Sequence, residues 1–324
     1  MDYLITGGAG FIGSHLTEAL LARGDGVVVL DDLSTGSIRN IEPFRDNPRF
    51  NYQIDTVENR SLVAELVDRV DAVFHLAAAV GVRLVVENPV RTLETNLRTT
   101  EVVLEMANKK QRPVLLASTS EVYGKSTKVP FHEDDPSAIG PPTLSRWGYA
   151  CSKLMDEFLG QAYWHEYGLP VIVVRYFNTV GPRQTGRYGM VLPTFVRQAL
   201  ANQPLTVHGD GAQTRSFGYV GDVVRGSMAL MDAGERAHGA IVNLGNEEEI
   251  SIRALAERVV ARAESRSEIV LIPYDQAYGA GFEDMQRRVP DLSRAEALVG
   301  YAPQVGLDAI IDHVIAHYRT GGQL

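Results

Sequence analysis

Short apolar, β-branched runs recur through the first half of the chain, at 3–6, 27–31, 50–54, 72–76, 114–118 and 171–175. Between several of them the apolar positions fall three and four residues apart instead, at 14–23, 61–67, 92–108 and 150–167, which predicts helices. Continuous apolar strands alternating with helices imply a parallel sheet covered on both faces, so the expected fold class is α/β and doubly wound. Ligands of such a sheet sit in the crevice beyond the carboxyl ends of its strands. After Tyr176 the rhythm changes. Gly and Pro are scattered over 181–186, a helical stretch follows at 192–201, then a short strand at 205–207 and the turn Gly209-Asp210-Gly211. The segments 217–222 and 241–244 read as elements that return to the first sheet. The expected organisation is a large domain over 1–177, joined by returning segments at about 218–244, with a smaller α/β substrate lobe interwoven with it over the rest of 178–324.

Composition narrows the classes of function. The 324 residues are 45% hydrophobic, enough to bury a large core, and their number is near that at which one core gives way to two lobes. A formal net charge of −9 argues against a nucleic-acid partner, which needs clustered Lys and Arg. The single cysteine, Cys151, excludes an internal disulfide and a cysteine metal cluster, fits a cytoplasmic setting, and reads as a small buried helix residue. No stretch approaches the ~20 apolar residues of a membrane span, so no membrane role is expected. The histidines show no metal-ligand spacing and no metal is assigned; His75, at a strand end, reads as a packed core residue.

The first strand runs into Gly7-Gly8-Ala9-Gly10-Phe11-Ile12-Gly13 and then a helix, the context that gives a glycine fingerprint meaning. Gly7 permits the tight turn, Gly10 lets backbone approach a pyrophosphate, and Gly13 lets helix pack on strand, in the manner of a Rossmann domain. The second strand ends at Asp31, where a carboxylate accepts ribose hydroxyls and repels a 2′-phosphate. NAD is therefore expected rather than NADP. Asp55, ending the third strand, is either a contact to the adenine edge or a turn cap.

Tyr149 and Lys153 stand four apart and share a helix face. An ammonium there, with a positive nicotinamide nearby, stabilises tyrosinate and lowers a phenol from its reference pKa of about 10 toward working pH. Tyr149 is then the base that takes a substrate hydroxyl proton.

These motifs, with His75-Leu76-Ala77-Ala78, Asn96, the 118–124 segment, Arg175-Tyr176-Phe177-Asn178, Gly181-Pro182-Arg183, 219–223 and Arg288-Val289-Pro290-Asp291, make the chain resemble the extended short-chain dehydrogenases/reductases that act on nucleotide sugars. The resemblance implies cofactor contacts from Phe11, Ile12, Leu76, Ala77, Ala78 and Asn96, as well as from Tyr149 and Lys153. It implies that Thr119 meets the sugar at C4, that Asn178 and Arg288 hold the diphosphate, and that Val207, His208 and Leu192 border the base. Within the family, Thr119-Ser120-Glu121-Val122-Tyr123-Gly124 resembles decarboxylases of UDP-glucuronate, in which an arginine matching Arg215 contributes to catalysis. Arg146-Trp147 before Tyr149 resembles the same group. Epimerases carry small residues where Glu121 stands, and deoxythymidine-linked 4,6-dehydratases carry an acid where Ser120 stands.

The resulting expectation is a NAD-dependent UDP-glucuronate decarboxylase that forms UDP-xylose through a 4-keto sugar. A UDP-sugar or UDP-uronate 4-epimerase, a 4,6-dehydratase, and a non-catalytic NAD-responsive regulator are the alternatives. Arg187 and Tyr188 either reach the substrate carboxylate or cap the lobe. The family's pairing of the helices at 96–108 and 149–167 implies a homodimer.

Overall fold

The computed structural model describes residues 1–80, 88–186, 190–274, 276 and 285–321. In chain order the strands are β1 (Asp2–Thr6), β2 (Gly26–Asp31), β3 (Phe50–Ile54), β4 (Ala72–His75), β5 (Val114–Thr119), β6 (Val171–Tyr176), β7 (Thr179–Val180), β8 (Leu205–His208), β9 (Thr214–Ser216), β10 (Gly218–Tyr219), β11 (Ile241–Leu244), β12 (Glu249–Ser251) and β13 (Ile269–Ile272). The α-helices are α1 (Phe11–Arg23), α2 (Arg60–Asp68), α3 (Pro89–Lys110), α4 (Gly148–Tyr167), α5 (Val191–Leu200), α6 (Val220–Asp232), α7 (Ile252–Arg262), α8 (Ser293–Val299) and α9 (Leu307–Arg319).

A seven-stranded sheet in the order β3-β2-β1-β4-β5-β6-β11 organises the larger lobe, and its pairings are all parallel. Its apolar runs bury both faces because alternate residues point opposite ways. Tyr3, Ile5, Val27, Val29, Phe74 and Val174 join one core, with α1 and α6, while Leu4, Leu30, Val73 and Val173 join the other, with α2 and α3. The order reverses between β1 and β4, which opens a crevice at their carboxyl ends. The doubly wound α/β fold expected from the sequence is the fold observed.

Of the expected returns to this sheet, β11 pairs with β6, whereas the strand within 217–222, β10, pairs with β7 outside the sheet and Phe217 joins the smaller lobe; α6, which begins at Val220, enters the first core through Val220, Val223 and Leu230. α8 and its flanks return as well, through Leu292, Ala295 and Tyr301, although they lie late in the stretch 178–324 expected to form the lobe. The smaller lobe packs α5, α7 and α9 around the parallel pair β8–β13. Cys151 corrects one expectation. It is exposed on α4, since buried Ser152 and Lys153 show that the opposite face of that turn is inward. No described helix is long and apolar enough to cross a membrane.

Candidate active site

A cleft of about 1300 Å³ runs between the lobes, from the Gly7 loop past Tyr149 to Arg215 and Tyr274. At its first end the chain leaves β1 and turns at Gly7, whose φ of +73° is left-handed. A Cβ on Gly7 would lie 2.7 Å from the Ala77 nitrogen, and one on Gly13 would lie 2.3 Å from the Gly7 carbonyl oxygen. Glycine is therefore needed for the loop, the 76–78 segment and the first turn of α1 to meet. α1 begins at its N-cap Gly10 with no side-chain cap, and its opening residues Phe11, Ile12 and Gly13 line the cleft with Gly7 and Gly10. A helix start of this kind offers backbone N–H groups to an anion. Asp31, also on the wall, accepts the Ala9 and Leu33 amides at 2.9 and 2.8 Å. Leu76, Ala77 and Ala78 complete this end.

The reacting groups converge from β5, the turn after it, and α4. Thr119 ends β5 and its Oγ1 caps the following turn by accepting the Glu121 amide at 3.2 Å, which fixes Ser120 and Glu121 in the cleft wall. Arg146, on the turn leading into α4, pairs directly with Glu121 Oε2. From the far lobe Arg288 brings Nη1 to 3.4 Å from Glu121 Oε1 and 3.5 Å from Ser120 Oγ. Burial pushes the Glu121 carboxyl up, but Arg146, Arg288 and, farther off, Arg215 outweigh it and hold the group below the ordinary carboxylate range.

Tyr149 and Lys153 line the same cleft from α4. The expected lowering of the phenol is not what the protein itself produces. Burial raises Tyr149, Glu121 and Asp156 raise it further, and only a hydrogen bond with Thr119 opposes them. Lys153, the cation expected to oppose them, is itself paired. Its Nζ is 2.7 Å from Asp156 Oδ2, and both side chains are buried.

Residues 4–314 match the family described as GDP-mannose 4,6 dehydratase. The chain belongs to this family. Within this dehydratase-like branch of the short-chain dehydrogenases/reductases, it is 41% identical over 98% of its length to a UDP-N-acetyl-alpha-D-glucosaminuronate decarboxylase of Bacillus cytotoxicus, covering 97% of that protein. It is 38% identical over 97% of its length to UDP-glucuronic acid decarboxylase 1 of Danio rerio, covering 72% of it. Among solved structures, UDP-glucuronic acid 4-epimerase from Bacillus cereus, in complex with UDP-glucuronic acid and NAD, superposes with a TM-score of 0.88 at 28% identity, covering 99% of each chain.

Other residues singled out by resemblance to the family distribute unevenly. Asn178, Leu192, His208, Arg215 and Arg288 line the cleft. Arg288 was expected at the diphosphate, yet its guanidinium lies on Ser120 and Glu121. Val207 is a correction: strand alternation turns it, with Leu205, into the core of the smaller lobe, while Thr206 and His208 face the cleft. Reading period two through 205–208 would have named Thr206. Asn96 is a second correction, being buried behind the wall, where its amide accepts from Ala79 N at 2.7 Å and donates to Ser152 at 3.1 Å. Asp55 follows its turn-cap alternative, accepting Thr56 N at 2.7 Å and Asn59 Nδ2 at 2.8 Å, and the cleft wall there is Thr56 and Val57. Arg187 and Tyr188 lie outside the described residues. His75 is a core residue, bonded to Thr6 and Thr100 and driven down to about 3, first by burial and then by Lys153. Arg146 and Asp156 were not assigned to the site; for Asp156 the signal is a charged residue three after Lys153 on the same helix, while Arg146 lies on the turn before the helix, three residues ahead of Tyr149.

Proposed function

We propose that the protein is a NAD-dependent decarboxylase of a UDP-uronate, taking UDP-glucuronate through a 4-keto sugar to UDP-xylose. The observation that carries this reading is the arginine-lined pole at Glu121, where three guanidiniums act on one carboxylate beside the base candidate. Arginines suit the recognition of a carboxylate, and a uronate presents one two carbons from C4. The relatives named as decarboxylases, at 41% and 38% identity, support the same choice. Ser120 stands where a deoxythymidine-linked 4,6-dehydratase carries an acid, and Asp31 disfavours the NADP that GDP-mannose 4,6-dehydratases, which share Thr-Ser-Glu, usually take.

The glycine cradle and Asp31 fit a dinucleotide without a 2′-phosphate. When bound, NAD supplies the redox couple at sugar C4. Tyr149 takes the C4 hydroxyl proton, Thr119 holds that hydroxyl, and Lys153 offsets the phenolate charge. The carboxylate is then β to a ketone, so the electron pair left by departing carbon dioxide is held as an enolate. Arg288, Arg146 and Arg215 orient the departing group, with Glu121 fixing the arginines. C5 gains a proton, and Tyr149 returns its own as C4 is restored. Asn178 reaches the diphosphate, while Leu192, Thr206 and His208 border the base.

Incubation with UDP-glucuronate, its 2-acetamido counterpart, UDP-glucose and GDP-mannose, read by mass spectrometry, tests the reading. Loss of carbon dioxide from a UDP-uronate supports it. Unchanged mass with conversion to the C4 epimer replaces it by a UDP-uronate 4-epimerase, loss of water by a dehydratase, and no turnover by a regulator.

Assembly as a homodimer in the cytoplasm belongs to the same proposal. Val90, Leu93 and Leu97 on α3 and Met155 and Phe158 on α4 are 40–67% exposed, an apolar strip that a second copy would cover. A monomer by light scattering at micromolar concentration would remove the dimer.

A further inference from the structure

Asp156 belongs to no part of the mechanism above, yet it is among the most enclosed carboxylates near the site. It is 2% exposed, its Oδ2 receives Lys153 Nζ at 2.7 Å, and its Oδ1 has no hydrogen-bond partner. Lys153 is itself 3% exposed and still forms part of the cleft wall. A buried lysine without a counter-ion sheds its proton easily, and a buried ion pair is costly to assemble, so a carboxylate kept here has a consequence for the charge at Tyr149.

The surroundings show where that charge is felt. Burial raises the Asp156 carboxyl, and Lys153 and, from α3, the Thr100 hydroxyl oppose it without overcoming it. Behind Thr100, at 3.3 Å, is the ring of His75 on β4, which burial keeps neutral. Glu157, next on α4, is matched by Arg175 of β6 through contacts of 2.9 and 2.7 Å. From the turn after β5, Glu121 faces Tyr149 but is held by Arg146, Arg288 and Arg215. Asp156 therefore has Lys153 as its direct cationic contact, and that is the same cation Tyr149 relies on.

We propose that Asp156 is a positioning residue: a buried counter-ion that holds the Lys153 ammonium, offsets part of its charge at Tyr149, and so sets how strong a base Tyr149 is. The 2.7 Å contact fixes Lys153 Nζ on α4, and burial holds the Tyr149 phenol above its ordinary range. A base that ionised earlier would be a weaker acceptor for the C4 proton. The proposal rests on the reading of Tyr149 as the base.

The test uses the NAD holoenzyme and needs no substrate. Tyrosinate absorbance is titrated in wild type and in Asp156→Asn, with the corresponding Tyr149→Phe proteins subtracted to isolate one phenol. The expected result is a midpoint about one pH unit lower in Asp156→Asn, an effect of the size a single nearby charge exerts. The acid limb of kcat/KM for the UDP-uronate moves the same way, so that below the limb the variant is faster, by at most about tenfold because the base is also weaker. An unmoved or raised midpoint overturns the proposal, whatever happens to the overall rate, because lost packing lowers activity without moving the titration. If Asp156→Asn does not fold, Asp156→Ser serves, because it removes the same charge with a smaller side chain; the same downward shift is expected, and no shift again overturns the idea. Failure of wild type to decarboxylate any UDP-uronate would sink the substrate reading and leave the phenol titration readable.

Discussion

Two buried carboxylates flank Tyr149, and their surroundings drive them in opposite directions. Glu121 sits among Arg146, Arg288 and Arg215, which overcome its burial and hold it ionised. Asp156 has one lysine, and there burial wins and raises its carboxyl. Burial is a cost both groups bear, so the difference lies in the number and kind of cations supplied. Guanidiniums from two lobes can fork around one carboxylate, whereas one ammonium on the same helix turn cannot. The comparison assigns the poles separate tasks. The arginine pole is a fixed charge that a substrate anion can join, and the lysine pole is a balanced pair that tunes the base between them.

The largest effect is expected from removing what both poles act upon. Tyr149→Phe should leave NAD bound and cut turnover by about 10²–10⁴, the usual worth of a positioned acid or base. Near-normal turnover would detach both poles from the chemistry and reduce their contrast to packing.

Next comes the arginine pole. Glu121→Gln keeps the shape but releases the arginines, so C4 oxidation should survive while carbon dioxide release slows by about 10–10², within the range for one positioned charged group. A single turnover with UDP-glucuronate, quenched with a deuterated hydride reagent, should then trap more 4-keto uronate than wild type does. Equal trapping would show that Glu121 has no part after the first step, as a 4-epimerase requires. Arg146→Lys is the milder version. It keeps the charge and loses the fork, and it should fall between Glu121→Gln and wild type.

How much of this was legible in the sequence follows from how local each feature is. The strands could be read because a doubly covered parallel sheet requires unbroken apolar runs, and the cofactor loop because Gly13 answers to contacts within its own βα turn, whereas the need for glycine at 7 comes also from Leu76 and Ala77 at the end of another strand. Tyr149 and Lys153 were found by helix spacing, and the same spacing reaches Asp156 once a partner for the ammonium is sought. Arg288 could not be placed this way. It meets Glu121 across 167 positions of sequence, and nothing local to 288 points to a carboxylate rather than a diphosphate. Val207 differs from expectation for a simpler reason, since β8 has two faces and 207 lies on the one that joins the core. The helix packing of α8 on the first sheet is likewise a long-range fact that no periodicity carries.

The smallest effect expected is on stability in acid, and there the two poles should differ in sign. Glu121 is depressed in the folded protein, so it contributes stability that is present above the ordinary Glu value of about 4.3 and is lost as pH falls through its folded value. Asp156 is raised, so the folded state binds its proton more readily than the unfolded chain does, and its contribution worsens as pH rises from the ordinary Asp value of about 3.9 through the folded one. His75 and His15, both driven down by burial, to about 3 and about 4, cost stability as pH falls through about 6.5, but they do so equally in every variant and cancel in a difference. Thermal melting between neutral pH and the carboxylate range should therefore show Glu121→Gln losing less Tm than wild type on acidification and Asp156→Asn losing more, each by no more than a few degrees. Parallel curves for the two variants would mean that their carboxyls titrate alike, and the contrast between an arginine pole and a lysine pole would have no energetic content.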